Sequence, residues 1–303
     1  MIIPDRTKGY LFAFTSVIAT SNVFIFSKAA MADTSLEVFG FYWFLFGLLW
    51  NVIFNTWTGN IKQVLDFKRK QWIILLILGI LEVTGTTFFF LAIFTVPNPT
   101  IVSFLGNVNP LIVAVLGFFI LHERYNRPEI FGIFLIIIGA FIISYKGGDQ
   151  ISNMFIGGTE YVILSGIFFG ISAIVIKLNV KRIKPSMLAL SRTVFIFVFS
   201  FAMLMINDRG FNVSQPALFN IFIGSILGPF LTVVAGYQSY KYIEVGRKSI
   251  LGSTKGIFVL IGSYIYLDKI PEFYQIIGGI ISIIGVVFIS LGKIRMKKRK
   301  VTA

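Results

Sequence analysis

Three charged side chains stand where so apolar a sequence has least reason to carry them. Glu82 lies near the middle of the run Trp72–Val96, Lys255 at mid-depth of Lys248–Leu267, and Arg192 about two turns into Ser186–Asn207. A charge at the centre of a bilayer is costly, so it faces a partner, water or a cavity rather than lipid. Glu82 is therefore a candidate proton carrier or substrate contact, with a structural ion pair or a protonated, hydrogen-bonded acid as the plain alternatives. Lys255 and Arg192 are candidates for holding an anionic group, and the guanidinium fork suits a carboxylate or phosphate. For Arg192 the alternative is an inner-end anchor whose long side chain reaches the interface. Glu82 and Lys255 are expected to reach one space between two halves of the molecule. If they pair, a zwitterion such as an amino acid is suited to break the pair. If they stand apart, Glu82 reads as a proton site and Lys255 as an anion site.

A polar stripe accompanies them. Thr100, Ser103 and Asn107 share one face of the run Thr100–Leu121, and Ser249 and Ser253 repeat the last two positions later in the chain. Such a stripe lines a cavity or bonds to neighbouring helices. Lys255 lies about 200° around the helix from Ser253, so the two do not both face one cavity. Lys28, Lys177 and Lys241 lie nearer the ends of apolar runs and are expected to snorkel.

Other chemistry is excluded or disfavoured. With no Cys there is no thiolate nucleophile, disulfide or Cys-ligated metal. The single histidine, His122, sits beside Glu123 and Arg124 and reads as a solvated helix end. One His and no Cys make a transition-metal site improbable, and no cofactor is expected. GxSxG, HExxH, P-loop and GxGxxG patterns are all missing from the sequence.

The elements that position these residues follow from composition. The chain is 56% hydrophobic and 13% charged, against about 25% charged in a soluble domain. A bilayer core of roughly 30 Å takes about 20 helical residues to cross. Runs of that kind lie near Gly9–Met31, Leu36–Trp57, Trp72–Val96, Thr100–Leu121, Ile130–Tyr145, Gly158–Val180, Ser186–Asn207, Ala217–Ile243, Lys248–Leu267 and Tyr274–Leu291. The expected fold class is thus an all-α integral membrane protein of ten transmembrane helices. The apolar run from Tyr10 is too long for a cleavable signal, so it reads as the first retained span. Lysine and arginine concentrate in alternate loops and in the tail from Lys293 to Lys300, while the opposite loops hold only Lys146, Arg209 and Lys269. By the positive-inside rule both termini are expected in the cytoplasm. That asymmetry also accounts for the net charge of +14 without invoking nucleic acid.

The chain also repeats itself. Leu105–Ser144 aligns without a gap on Leu251–Ser290, pairing Leu105/Leu251, Gly106/Gly252, Gly132/Gly278, Gly139/Gly285 and Ser144/Ser290. The first runs of each half pair Gly9/Gly158, Ser16/Ser165 and Lys28/Lys177. A unit of five spans is odd, so its second copy enters from the opposite side, giving two inverted repeats around a central site. Residues 1–146 and 157–292 are read as the two five-helix units, and residues 293–303 as a basic cytoplasmic tail. Gly166/Gly170, Gly224/Gly228 and Gly252/Gly256 permit close helix crossing, and Pro229 should kink or loosen its span.

The segment from Pro110 to Ile143 resembles the end of an EamA-type unit of the drug/metabolite transporter superfamily. Pro110, Glu123, Gly132 and Gly139 match that signature, with His122 in the usual glycine place. The second copy departs from it: Gly256 replaces the proline and Asp268 stands near the acidic position. The family's arginine early in the second span is matched by Arg192, while Trp43 occupies that place in the first unit. The resemblance covers nearly the whole chain and implies ten helices around a central cavity. Members export or exchange amino acids, drugs, nucleotide sugars or sugar phosphates.

Together these features point to a carrier in the cytoplasmic membrane. It would move a small metabolite, an amino acid or another polar or anionic solute, by alternating access, with no enzymatic activity. The expected partners are that solute, the lipid bilayer and a candidate coupling proton. The weaker alternatives are an intramembrane enzyme acting on a lipid-linked substrate, which would need clustered acids or histidines at one membrane face, and a structural or receptor protein. The site candidates are Glu82, Lys255, Arg192, Asn107, Ser103 and Ser253.

Overall fold

The computed structural model describes residues 4–112, 126–147, 155–243 and 245–301. His122, Glu123, Arg124 and the side chain of Ser249 lie outside the described set. The described residues are helical apart from turns and one isolated bridge between Tyr145 and Phe155. The helices are α1 (Asp5–Ala30), α2 (Leu36–Trp57), α3 (Arg69–Thr95), α4 (Pro99–Leu105), α5 (Arg127–Ser144), α6 (Thr159–Asn179), α7 (Pro185–Ile206), α8 (Gln215–Ser225), α9 (Val233–Tyr242), α10 (Val245–Ser253), α11 (Lys255–Leu267) and α12 (Phe273–Val301).

Their starts carry the expected stop and start chemistry. The Ser35, Asn98 and Ser214 side chains accept from backbone N–H groups of the first turn, which satisfies donors with no intrahelical partner. Asn126 and Glu129 form a reciprocal capping box, so the fully buried Glu129 is a helix-start device rather than a stray acid. Prolines occupy the first turn of α4, α5, α7 and α8, where a missing N–H costs nothing.

Among the described residues eight stretches are long and apolar enough to cross a bilayer, and Phe273–Ile289 is a shorter apolar one. Residues 99–112 are the described part of the fourth expected span. Among the described residues three expected spans are not continuous α-helices, and the fourth passes from α4 into a 3-10 turn at Gly106–Val108. The stretch Ile226–Thr232 between α8 and α9 is π-helical around Pro229, because proline donates no hydrogen bond and its ring crowds the preceding turn. The ninth run changes from α10 to α11 at Thr254. In the other direction, α12 runs on to Val301, into the segment read as a separate tail.

Small residues set the helix crossings. On α5, Gly132 stands against the Gly285 carbonyl of α12, and Gly139 against that of Gly278. The later residue of one helix meets the earlier residue of the other, so α5 and α12 run antiparallel. The pair α2 and α7 crosses in the same sense, with Gly40 beside Ser200 and Asn55 Nδ2 donating to the Ser186 carbonyl at 3.3 Å. α1 packs along α8 and α9, and α3 along α6. Large apolar side chains such as Leu11, Ile53, Ile80, Phe134 and Val198 remain outward-facing, as they must on a surface solvated by lipid tails.

Candidate functional site

Glu82 is buried on α3 and is surrounded by donors. Arg192 Nε of α7 donates to its Oε2 at 2.6 Å, Tyr237 of α9 to its Oε1 at 3.1 Å, and Ser172 Oγ of α6 to the same oxygen. Arg192 Nη2 donates onward to Thr86 Oγ1 at 2.9 Å. Four helices thus converge on one carboxylate. The antiparallel packing of α3 on α6 brings Ser172 there, and a residue as small as Gly79, one turn before Glu82, lets α7 close in through Phe195. Such a pair removes most of the penalty of a charge among lipid-embedded helices.

The network forms one wall of a chain of cavities. A chamber of about 290 Å³ is lined by Ser16, Glu82, Arg192, Tyr237, Tyr240, Lys248 and Lys255, among others. A second, of about 230 Å³, is lined by Trp43, Phe44, Phe89, Phe90, Asn109, Arg192 and Lys255. The two share Thr20, Phe169, Arg192, Thr232, Val233 and Lys255, so they are contiguous. A third, of about 150 Å³, shares Phe44, Thr86 and Phe90 with the second and reaches Glu37 and Asn207. The first chamber draws on the middle of α1, the end of α9 and α10, the third on the start of α2 and the end of α7. A polar chamber, an aromatic chamber and a small outer one therefore lie in series between the two ends of the bundle.

The six residues picked out from sequence divide into two groups. Glu82, Arg192 and Lys255 line the first chamber, and Glu82 pairs with Arg192 rather than with Lys255. Asn107, Ser103 and Ser253 are packed between helices. Asn107 Nδ2 donates to Ser282 Oγ on α12 at 3.0 Å, Ser253 Oγ donates to the Ile250 carbonyl, and Ser103 is fully buried on α4. Arg192 is thereby an interior partner and not an anchor at the inner end.

The lysines near span ends also differ from expectation. Lys28 Nζ donates to the carbonyls of Ile93, Phe94 and Val96 at the end of α3, and Lys177 Nζ to those of Tyr240 and Ile243 at the end of α9. Each caps helix-terminal carbonyls that lack an intrahelical partner. These two lysines are repeat-equivalent and do the same work. Their acceptors align the third span of one half with Pro229's span of the other, at an offset that pairs Glu82 with Pro229. Arg192 is already paired with Trp43. Where one half-interface holds Arg192 on Glu82, the other holds the Trp43 ring packed over Gly224 and Gly228, next to Pro229.

Four contributors escaped the reading of the sequence. Ser172, Thr86 and Tyr237 are ordinary polar residues in apolar runs, and nothing local marks them. Asn109 was findable, since it is the repeat partner of Lys255 at the same offset that pairs Gly106 with Gly252.

Comparison with known proteins agrees with this architecture. The EamA-like transporter family matches residues 7–145 and 157–291. The uncharacterized transporter YyaM of Bacillus subtilis is 27% identical over 258 residues, covering 82% of this chain and 81% of that protein. An uncharacterized transporter of Archaeoglobus fulgidus is 23% identical over 287 residues, covering 93% and 96%. A solved crystal structure superimposes with a TM-score of 0.69 at 14% identity, over 96% of this chain and 99% of that one, which speaks for the fold alone. With the family matching both halves and eight apolar helices among the described residues long enough to span a bilayer, the chain is a multi-pass membrane protein that belongs to the EamA-like transporter family.

Proposed function

We propose that the protein is a carrier of a small polar or anionic metabolite, working by alternating access in the cytoplasmic membrane with both termini inside. The observation that carries this reading is the series of chambers between the two halves, with Glu82, Arg192 and Lys255 on their walls. An inverted pair of five-span units, ten spans in all, is the arrangement that gives one site two alternative openings. The antiparallel crossing of the repeat-equivalent helices α5 and α12, and the matching lysine caps, support it. The lysine-rich loops support the orientation. A membrane enzyme would need a reactive cluster, and the polar groups that meet here form an ion pair with its hydroxyl donors. Purified protein in liposomes should take up labelled solutes from a panel of amino acids, nucleosides, sugar phosphates and small organic acids, saturably and with trans-stimulation. The same uptake with and without an imposed pH gradient reports proton coupling. Uptake no faster than in empty liposomes across the panel, with the protein folded, would overturn the proposal.

A further inference from the structure

We infer that the cavity receives a small organic anion with an apolar body, its charged end at Lys255 and its body against the aromatic wall. This rests on the carrier reading and narrows its substrate class. Lys255 opens α11 directly after the break at Thr254, and its side chain lines both larger chambers. Its Nζ lies 3.3 Å from the point a Cβ on Gly106 would occupy, so the glycine lets the ammonium sit close to the α4 backbone. No described residue accepts a hydrogen bond from that ammonium or pairs with it.

The charges around it decide what it can take. Glu82 is the acid among the described lining residues of these two chambers, and it is already held by Arg192, Ser172 and Tyr237. Lys248 is engaged too, donating to the Gly236 carbonyl at 2.9 Å and standing 3.7 Å over the Tyr240 ring. Arg192 and Glu82 cancel, so Lys255, with Lys248 lining the same chamber on neutral partners, leaves the site with uncompensated positive charge deep in the bundle. A bound anion supplies the missing partner. A zwitterion would bring an ammonium that finds no open carboxylate here. Asn109, the repeat-equivalent of Lys255, lines the same aromatic chamber and offers amide N–H donors to the same group. Trp43, Phe44, Phe89 and Phe90 line the same chamber and offer an apolar body a dry face.

Titration calorimetry on the detergent-purified full chain tests this with phenylacetate, hexanoate, acetate, phenylacetamide, phenethylammonium and phenylalanine. Phenylacetate and hexanoate should bind, with acetate, the neutral amide, the cation and the zwitterion each at least tenfold weaker. Lys255→Met should cost phenylacetate at least tenfold in affinity, while Lys255→Arg keeps most of it and shows that the fold survives change at that site. Ser103→Ala, buried on α4 away from the chambers, should bind as the parent does. Equal or tighter binding of the cation, amide or zwitterion, unchanged phenylacetate binding by Lys255→Met, or no binding by either apolar anion would each overturn the inference. Binding as expected without uptake into liposomes would instead sink the carrier reading. Saturable uptake of a non-anionic solute that survives Lys255→Met would sink only the substrate class.

Discussion

The Glu82–Arg192 pair is the most exposed physical claim, because its removal can be taken apart term by term. Arg192→Met leaves a carboxylate among helices with only Ser172 and Tyr237 as donors. Glu82→Gln leaves a guanidinium facing an amide that still accepts from those two hydroxyls. Two unit charges about 4 Å apart at an effective dielectric constant near 20 attract by ~4 kcal/mol. Breaking a buried pair from one side costs about 3–5 kcal/mol. Both single variants should fall in that range, since Arg192→Met strands a carboxylate held by two hydroxyls and Glu82→Gln strands a guanidinium held by Thr86. The double variant should recover much of the loss, because it leaves no buried charge behind, giving a coupling energy of about 1–3 kcal/mol. Reversible unfolding in mixed micelles, followed by circular dichroism on all four proteins, measures it. Additive single losses, with a coupling below about 0.5 kcal/mol, would refute the pairing.

Other outcomes follow from the packing. Gly132→Val and Gly278→Val drive a side chain into a facing helix backbone and should each destabilise by about 1–3 kcal/mol or more, seen as lost monodisperse protein on size exclusion. Gly252→Ala meets open space and should be close to neutral in the same assay. Lys28→Ala and Lys177→Ala remove equivalent caps and should each lower stability by about 1 kcal/mol, with like shifts in thermal unfolding; a large loss in one alone would break the equivalence. Trp43→Ala empties the space over Gly224 and Gly228 and should cost about 3–5 kcal/mol, read by the same unfolding measurement.

The helical spans were legible because lipid solvation leaves a long, plain apolar signature, and the spaced glycines of α5 and α12 were legible because close crossings set that spacing. The breaks were harder. Pro229 announced a disturbance, but the π-helical form depends on Asn51 Nδ2 donating to its carbonyl at 3.0 Å and Ser16 Oγ to that of Thr232 at 2.9 Å. Both donors come from other helices. Glu82 and Lys255 stood out as deep charges, yet their partners did not, since pairing follows from which helices touch. Arg192 lies on a helix antiparallel to α2 and pressed on α3, a fact of packing that no local pattern carries. The polar stripe misled for a related reason. Buried Ser and Asn bond between helices as readily as they line a cavity, and Asn107 meets Ser282.

In an alternating-access carrier one interior site opens in turn to both faces. The natural chain contains no cysteine, so a single Thr86→Cys reports cleanly from the boundary shared by the aromatic and outer chambers. In sealed proteoliposomes of known orientation, a membrane-impermeant maleimide should label it when applied from either side. A second single variant, Ser27→Cys, fully buried on α1, should stay unlabelled from both. Labelling of Thr86→Cys from one face only, or from neither, would contradict the account.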